Sequence, residues 1–414
     1  MKPLLRLLAA GLPGLLWIVS ATAQTNAPAG PLTLADALAI AERSHPDLAE
    51  ASALVRAAEG REQQARAFPN PEAIARMENA PFNGRTSGSA DYLAGVGVTI
   101  PLGSRRQEAA RVEGLDRQRL DLLAGGKRLE LHRRVQGAFA LALYQEQAHQ
   151  LRSEIVSSAE QAVRVTRTRV EAGDAVPVDA ARVEAEWAAA QAEWRRSDLM
   201  RRQALTALSA TIGLPEGDVQ AVQGSLDSTL EIPVLIDLTA ELATHPAMAA
   251  ASADLSAREA GVSLSKVQRV PDLRAELLYH RIESTQRDAF DVGVSLPIPL
   301  FDRGRGRVRE AEAQRDAAEA RLRSTRNQLR SQLREAHALL TAALSDARTL
   351  ETEVLPKMSL VRQSAEARFA AGDISLGEVL GVRRDDAGVR LRHLEALRDT
   401  MLAWAELRPF LKPQ

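Results

Sequence analysis

Four landmarks occur twice in the 414-residue chain, in the same order and about 200 residues apart. Ala37–Ala41 leads into His45-Pro46, and Leu238–Ala243 leads into His245-Pro246. Pro71 is matched by Pro271. Val98-Thr99-Ile100-Pro101-Leu102 returns as Val294-Ser295-Leu296-Pro297, followed by Ile298-Pro299-Leu300. Arg169-Val170-Glu171-Ala172-Gly173-Asp174 returns as Arg368-Phe369-Ala370-Ala371-Gly372-Asp373. A fixed order at nearly constant spacing marks a duplication, so the fold is expected to contain two copies of one unit.

Each copy reads the same way. A moderate helix spans about 34–67 and about 237–269, with His45 and His245 marking helix boundaries before proline. Two short strands follow, near 72–80 and 91–100, then near 272–282 and 289–297. A very long helical stretch comes next, about 104–172 and 303–371, then a Gly-Asp turn and a shorter helix, about 177–212 and 375–408. No proline lies between Pro101 and Pro177, so nothing forces a break. At 1.5 Å per residue such a helix spans on the order of 100 Å, the scale of a coiled-coil conduit. In the second copy Leu322, Leu329 and Ala336 form one seven-residue series, and Leu333, Leu340, Ala347 and Val354 form another, read as packing on neighbours at both sides. Pro356 should kink or interrupt this helix. A returning and an entering helix stacked end to end would match one long helix. The division expected is a leader at 1–23, a first repeat at 24–212, a connecting segment at 213–236, a second repeat at 237–408 and a tail at 409–414. The connecting segment reads either as a belt around the helices or as a flexible linker.

The strands alternate with a period of two. Tyr92, Ala94, Val96, Val98 and Ile100 oppose Leu93, Gly95, Gly97 and Thr99. Phe290, Val292, Val294 and Leu296 oppose Asp291, Gly293 and Ser295, while Leu273, Ala275, Leu277 and Tyr279 oppose Arg274, Glu276, Leu278 and His280. Ala73, Ala75 and Met77 oppose Ile74, Arg76 and Glu78. One apolar and one polar face suit either a soluble sheet on a core or a membrane barrel with lipid outside and water inside.

The amino terminus bears on that choice. Lys2 and Arg6 precede an apolar run from Leu7 to Val19, and Ala21-Thr22-Ala23 is a small-residue cleavage site, which reads as a secretory signal leaving Gln24 first. No later run reaches the roughly 18 apolar residues of a spanning helix. Together with the long helices this favours the barrel. Four strands cannot enclose a lumen, and open edges cannot face lipid. Three protomers would supply twelve strands, with the loops Phe82–Asp91 and Glu283–Arg287 at the outer surface. Arg76, Glu78, Arg274, Glu276 and Asp291 would then face the lumen. The chain has no cysteine, which excludes disulfides, thiolate metal sites and a lipidated cysteine. The 53 basic and 54 acidic residues balance, so nothing points to nucleic acid. Aromatics at only 3% favour long helices over a compact core.

With these features the chain resembles the TolC family of outer-membrane efflux channels. The resemblance rests on Thr33-Leu34-Ala35-Asp36-Ala37-Leu38 leading into His45-Pro46, both strand-end motifs and both Arg-x-x-x-Gly-Asp turns. Pro69-Asn70-Pro71-Glu72 with Glu78-Asn79, and Pro297-Ile298-Pro299-Leu300-Phe301-Asp302-Arg303-Gly304, are similar to the CzcC-type branch serving heavy-metal cation efflux. The resemblance implies a mainly α fold: a long helical coiled-coil barrel plus four strands per protomer in a trimeric twelve-stranded outer-membrane barrel. It also implies a homotrimer, a periplasmic membrane-fusion adaptor, an inner-membrane proton-driven pump and outer-membrane lipid as partners. The turns Arg169–Asp179 and Arg368–Glu378 would be the periplasmic tips that meet the adaptor and form the gate.

No catalytic constellation is present, no cofactor is implied, and the absence of a phosphate-binding loop leaves the energy to a partner. The seven histidines show no i,i+4 pairing, so no metal site is expected. Tip residues Asp174, Asp179, Asp373 and Glu378 read either as acidic rings in an oligomer or as helix caps. Arg169 and Arg368 read either as pairing with acids on a neighbouring helix or as solvated. Gly173 and Gly372 make the turns, and Pro177 occurs in only one tip, so the copies should not be equivalent in gating. Multidrug or copper efflux on the same fold, or a periplasmic coiled-coil adaptor or scaffold, are the competing functions.

Overall fold

The computed structural model describes residues 30–80, 90–215, 217–226 and 229–411. The leader read at 1–23 and nearly all of the loop Phe82–Asp91 lie outside them. Each repeat opens on a helix broken at a His-Pro step. α1 (Leu34–Ser44) and α2 (Pro46–Arg66) stand where one helix was expected over 34–67. A residue before proline is pushed out of the helical region, and His45 adopts φ −70°, ψ 127°. It ends one helix and caps the next. Its Nδ1 accepts the Asp47 amide at 3.1 Å, and Pro46 takes the first helical position, where an amide would have no partner. In the second repeat α5 (Leu235–Glu241), a 3₁₀ turn at Leu242–Thr244 and α6 (Pro246–Val267) replace the expected helix, with Ala247 donating to His245 Nδ1 at 3.2 Å. Burial pushes the His245 imidazole below the ordinary histidine range, which keeps it an acceptor at neutral pH.

The long helix of the first repeat, α3 (Arg105–Glu171), has 67 residues, so it is about 100 Å long. It returns as α4 (Pro177–Thr211). Along its N-terminal half α3 meets α2 and α6, through Arg61–Glu113 at 3.1 Å, Arg117–Glu62 at 2.9 Å and Arg119–Asp254 at 4.0 Å. Along its C-terminal half it meets α4, through Arg201–Glu146 at 3.4 Å and Arg167–Glu184 at 2.6 Å. Shorter helices thus line the long one along its whole length, α2 and α6 on one half and α4 on the other.

The matching helix of the second repeat is divided. α7 (Arg305–Thr349) passes through a π turn at Leu350–Val354 into α8 (Leu355–Ala371), and α9 (Leu376–Leu407) returns. Proline lacks an amide, and its ring crowds the carbonyl four residues back. For Pro356 that carbonyl is Thr352, inside the widened π turn. The two seven-residue series of α7 do not face opposite sides. Offset by three and four residues, they merge into one stripe. Leu329, Leu333, Ala336, Leu340 and Leu344 are buried together with Leu238, Leu242, Met248, Ala403 and Leu407. One seam therefore packs on α5, α6 and α9 at once. Val354 lies in the π turn and is not part of it.

Residues 217–226 cross the helices. Leu32 pairs with Val222 in a parallel bridge, the Leu32 amide donating to Ala221 and the Gln223 amide to Leu32, both at 2.9 Å. Val219, Val222 and Leu226 are buried with Phe139, Leu143 and Leu208. Further on, Arg348 donates to the Leu230 carbonyl at 3.2 Å. The described part of this segment is strapped to the helices at both ends.

β1 (Glu72–Glu78), β2 (Asp91–Ile100), β3 (Leu273–Ile282) and β4 (Arg287–Ser295) form one antiparallel sheet in chain order. The central pairing, β2 with β3, joins the two repeats, Gly95 opposite Leu278. Among the described residues β1 and β4 each leave one edge without a partner strand. Gly95 is required by close approach: a Cβ there would lie 2.0 Å from the Leu277 carbonyl oxygen.

Candidate functional site

The register assigns each strand residue to a face. Glu72, Gly97, Glu276 and Gly293 share one cross-strand row, Ile74, Gly95, Leu278 and Asp291 the next, and Arg76, Leu93, His280 and Ala289 a third. Directly opposed residues project to the same side, so Arg76, Glu78, Arg274, Glu276 and Asp291 all lie on one face. Arg274 pairs with Glu72 at 2.8 Å and with Glu276 at 3.8 Å, and Arg76 reaches Glu276 at 3.4 Å. Glu276 stands opposite glycines on both sides, and a Cβ at Gly293 would lie 2.9 Å from its Cγ. The glycines of this face thus leave room for the charged side chains. His280, which the alternation sets on the same face as Arg274 and Glu276, joins them there. Its Nδ1 lies 2.9 Å from Asp291 and its Nε2 4.0 Å from Asp91. Asn79, in the left-handed region at φ 56°, donates to Asp91 at 2.7 Å.

The opposite face is apolar and uncovered. Phe290, Val292 and Val294 are 73%, 76% and 67% exposed, and Val96, Val98, Leu277, Met77 and Tyr92 are exposed beside them. A contiguous patch of this kind is unfavourable against water and marks a membrane or protein contact. No helix among the described residues is long and apolar enough to cross a membrane.

At the far end of the long helices the two Gly-Asp turns share one geometry. The Asp174 amide donates to the Arg169 carbonyl at 2.8 Å and the Gly173 amide to Val170 at 3.1 Å. Asp373 donates to Arg368 at 2.9 Å and Gly372 to Phe369 at 3.1 Å. This is the Schellman arrangement, which satisfies the last helix carbonyls and needs a left-handed residue. Gly173 and Gly372 supply it at φ +80° and +83°. The five-residue spacing of Arg and Asp in both motifs is therefore the spacing of a backbone bond.

Neither turn aspartate caps the following helix. Val176 occupies that position before α4, without a side-chain bond and with Pro177 next. Ser375 occupies it before α9 in a capping box. Its amide donates to Glu378 at 2.8 Å, and the Glu378 amide donates back to Ser375 Oγ at 3.3 Å. Hydrogen bonds from Ser375, aided by the charge of Arg368, hold the Glu378 carboxyl below its ordinary range. Asp179 lies in the first turn of α4, where a negative charge complements the helix dipole.

Arg169 and Arg368 form no ion pair among the described residues; near the first tip it is Arg167 that bridges the hairpin, to Glu184. Arg169 instead lays its guanidinium 5.6 Å from the centre of the Phe369 ring. That contact joins the two tips. Between them Val163, Val183 and Leu380 are buried with Trp187 and Leu376 packed against them. The Arg182 guanidinium lies over Gly377, where a Cβ would come within 2.6 Å of Nη1. Higher in the second hairpin, Asp386 is buried between Arg362 at 3.4 Å and Arg390 at 3.1 Å. Apart from Asp386 and Arg390, four residues apart on one helix, these partners lie too far apart in sequence for a local pattern to reveal them. Among the described residues no three His, Asp or Glu side chains converge as a metal site.

The chain was compared with known proteins. It matches the family described as "Outer membrane efflux protein" over residues 37–214 and 238–411. The cobalt-zinc-cadmium resistance protein CzcC of Cupriavidus metallidurans is 30% identical over 377 residues, covering 91% of this chain and 88% of the relative. The nickel and cobalt resistance protein CnrC of the same organism is 28% identical over 321 residues, 75% of this chain and 73% of the relative. Among solved structures, CusC superposes with a TM-score of 0.76 at 14% identity, over 91% of each chain. The fold is thus that of a channel protomer with a helical barrel and four strands, and the protein is a channel component rather than an enzyme. The chain belongs to the outer membrane efflux protein family and resides in the outer membrane.

Proposed function

We propose that the protein is the outer-membrane channel of a tripartite efflux system that exports heavy-metal cations of the cobalt, zinc and cadmium class. The observation that carries the substrate class is the 30% identity to CzcC over nearly the full length of both chains. The sheet supports the channel architecture. Its two unpartnered edges cannot face lipid, and pairing β4 of one protomer with β1 of the next closes three sheets into twelve strands. In that homotrimer the apolar face meets lipid, and Arg76, Glu78, Arg274, Glu276 and Asp291 line water.

The helices extend from the barrel as a tunnel into the periplasm. Their tips, with Arg169, Gly173, Asp174 and Asp179 on one and Arg368, Gly372, Asp373 and Glu378 on the other, meet a periplasmic adaptor and form the gate. Energy comes from a proton-driven inner-membrane pump. Asp174 and Asp373 are left by their turns with carboxylates free to ring the opening in a trimer, where weak acidic sites favour cations without trapping them.

The test is export in cells carrying the cognate adaptor and pump but lacking this chain. Restoring it should raise resistance to cobalt, zinc and cadmium, and Asp174→Ala with Asp373→Ala should lower that gain. Restored resistance to copper or to drugs alone would overturn the substrate class. An unchanged gain in the double variant would remove the acidic ring.

A further inference from the structure

The apolar row of β4 does not stop where strand pairing stops. Ser295 is its last paired residue, yet Leu296 and Ile298 continue the alternation of Phe290, Val292 and Val294. Ile298 is 75% exposed. The Leu300 amide then bonds to the Ile298 carbonyl at 2.9 Å and turns the chain at Pro299. Phe290 to Ile298 is eight steps, about 26 Å along a strand and about 20 Å along the membrane normal at a tilt of roughly 40°. The row therefore ends close to the edge of an apolar band about 25 Å tall.

Immediately past the turn, Leu300 and Phe301 are 63% and 100% exposed. They share an open cleft of about 490 Å³ with Asp302, Arg303, Arg305 and Gly306. Arg303 and Arg305 are exposed and form no ion pair among the described residues, while Arg307 holds Asp302 at 3.7 Å. In the first repeat Arg106, in the first turn of α3, stacks 3.4 Å above the exposed ring of Phe68, which lies between α2 and β1. The first repeat thus also sets an aromatic ring beside an arginine near the ends of its strands, but there Arg105 is neutralised by Asp272 at 2.7 Å, which leaves Arg303 and Arg305 as the unpaired cations.

We infer that the cleft formed by Leu300, Phe301, Arg303 and Arg305 is a phospholipid site at the periplasmic boundary of the outer membrane. Phe301 and Leu300 enter the start of the acyl region, and the two guanidiniums take the headgroup phosphate. Arginine suits this because its planar fork matches phosphate oxygens. Three such sites around the trimer would fix the depth of the barrel directly above the point where the tunnel begins. The inference rests on the outer-membrane orientation of the sheet proposed above.

The chain contains no cysteine, so Phe301→Cys gives a single attachment point for a nitroxide. In the full channel, reconstituted in bilayers of phosphatidylethanolamine and phosphatidylglycerol, the label should be reached by oxygen in preference to a water-soluble nickel relaxant, at the depth where the acyl region begins. In native mass spectrometry from the same bilayers, Arg303→Gln with Arg305→Gln should retain phosphatidylglycerol roughly 30-fold less than wild type, at the energy typical of two basic residues near an anionic surface. Arg303→Lys with Arg305→Lys keeps the charge and should retain lipid, which controls for folding. A label shielded from both relaxants would mean that a neighbouring protomer covers the cleft. A label open to nickel would mean that water does. Either result, or equal lipid retention in the glutamine variant, overturns the site. Metal export is measured separately, so failure here leaves the efflux reading to its own test.

Discussion

Gly173 and Gly372 hold their turns for one reason only. A Cβ at either would meet nothing within 4 Å, so space is not the constraint. The constraint is the backbone, at φ +80° and +83°. Alanine at either position should cost about 1–2 kcal/mol, the usual penalty of a left-handed residue with a side chain. Hydrogen exchange of the amides at 170–176 and 369–375 should accelerate correspondingly, while Gly60→Ala, in the open part of α2, should leave stability equal or slightly better. Glu378 adds a pH dependence at the second tip. Its folded-state carboxyl titrates below the ordinary value. Its contribution is therefore complete above the unfolded pKa, about 4.3, and fades as pH falls through the lower folded value. Exchange protection at Ser375 and Glu378, corrected for intrinsic rate, should be flat at neutral pH and decline in acid. Glu378→Gln should flatten that decline.

At the scale of elements, the sheet depends on the crossing of the repeats. Gly95 lies where β2 and β3 approach, and a Cβ there would stand 2.0 Å from Leu277 O. Gly95→Val should break this pairing and abolish heat-resistant trimers on gels, while Val96→Ile, on the exposed face of the same strand, should leave them intact. Much of this level was legible in the sequence. Alternation of Tyr92 to Ile100 gave the faces, and the proline-free run gave α3. The divisions within elements were less so. A helix over 34–67 carries the right composition, and only the restriction that Pro46 places on His45 splits it. Pro356 signalled a disturbance, but whether it would be a kink or a π turn depends on how Thr352 and its neighbours relieve the crowding. The two series of α7 do pack on neighbours at both sides, α6 and α9, but offsets of three and four residues place them on one continuous stripe. The tip clasp was invisible: Arg182 and Gly377 sit in different repeats, and no periodicity links them.

For the whole molecule, the single chain is unfinished. Its sheet exposes two edges and a broad apolar face, and both liabilities vanish together if three sheets close with that face against lipid. The closed form is twelve strands from three protomers, with charges inside and valines outside, as proposed above. The most direct measurement scans single nitroxide labels along β4, from Asp288 to Ser295, in the cysteine-free chain reconstituted in bilayers. Oxygen accessibility should peak at Phe290, Val292 and Val294, and accessibility to a water-soluble nickel relaxant should peak at Asp291, Gly293 and Ser295. The same aqueous accessibility on both faces, or the two patterns exchanged, would contradict the barrel.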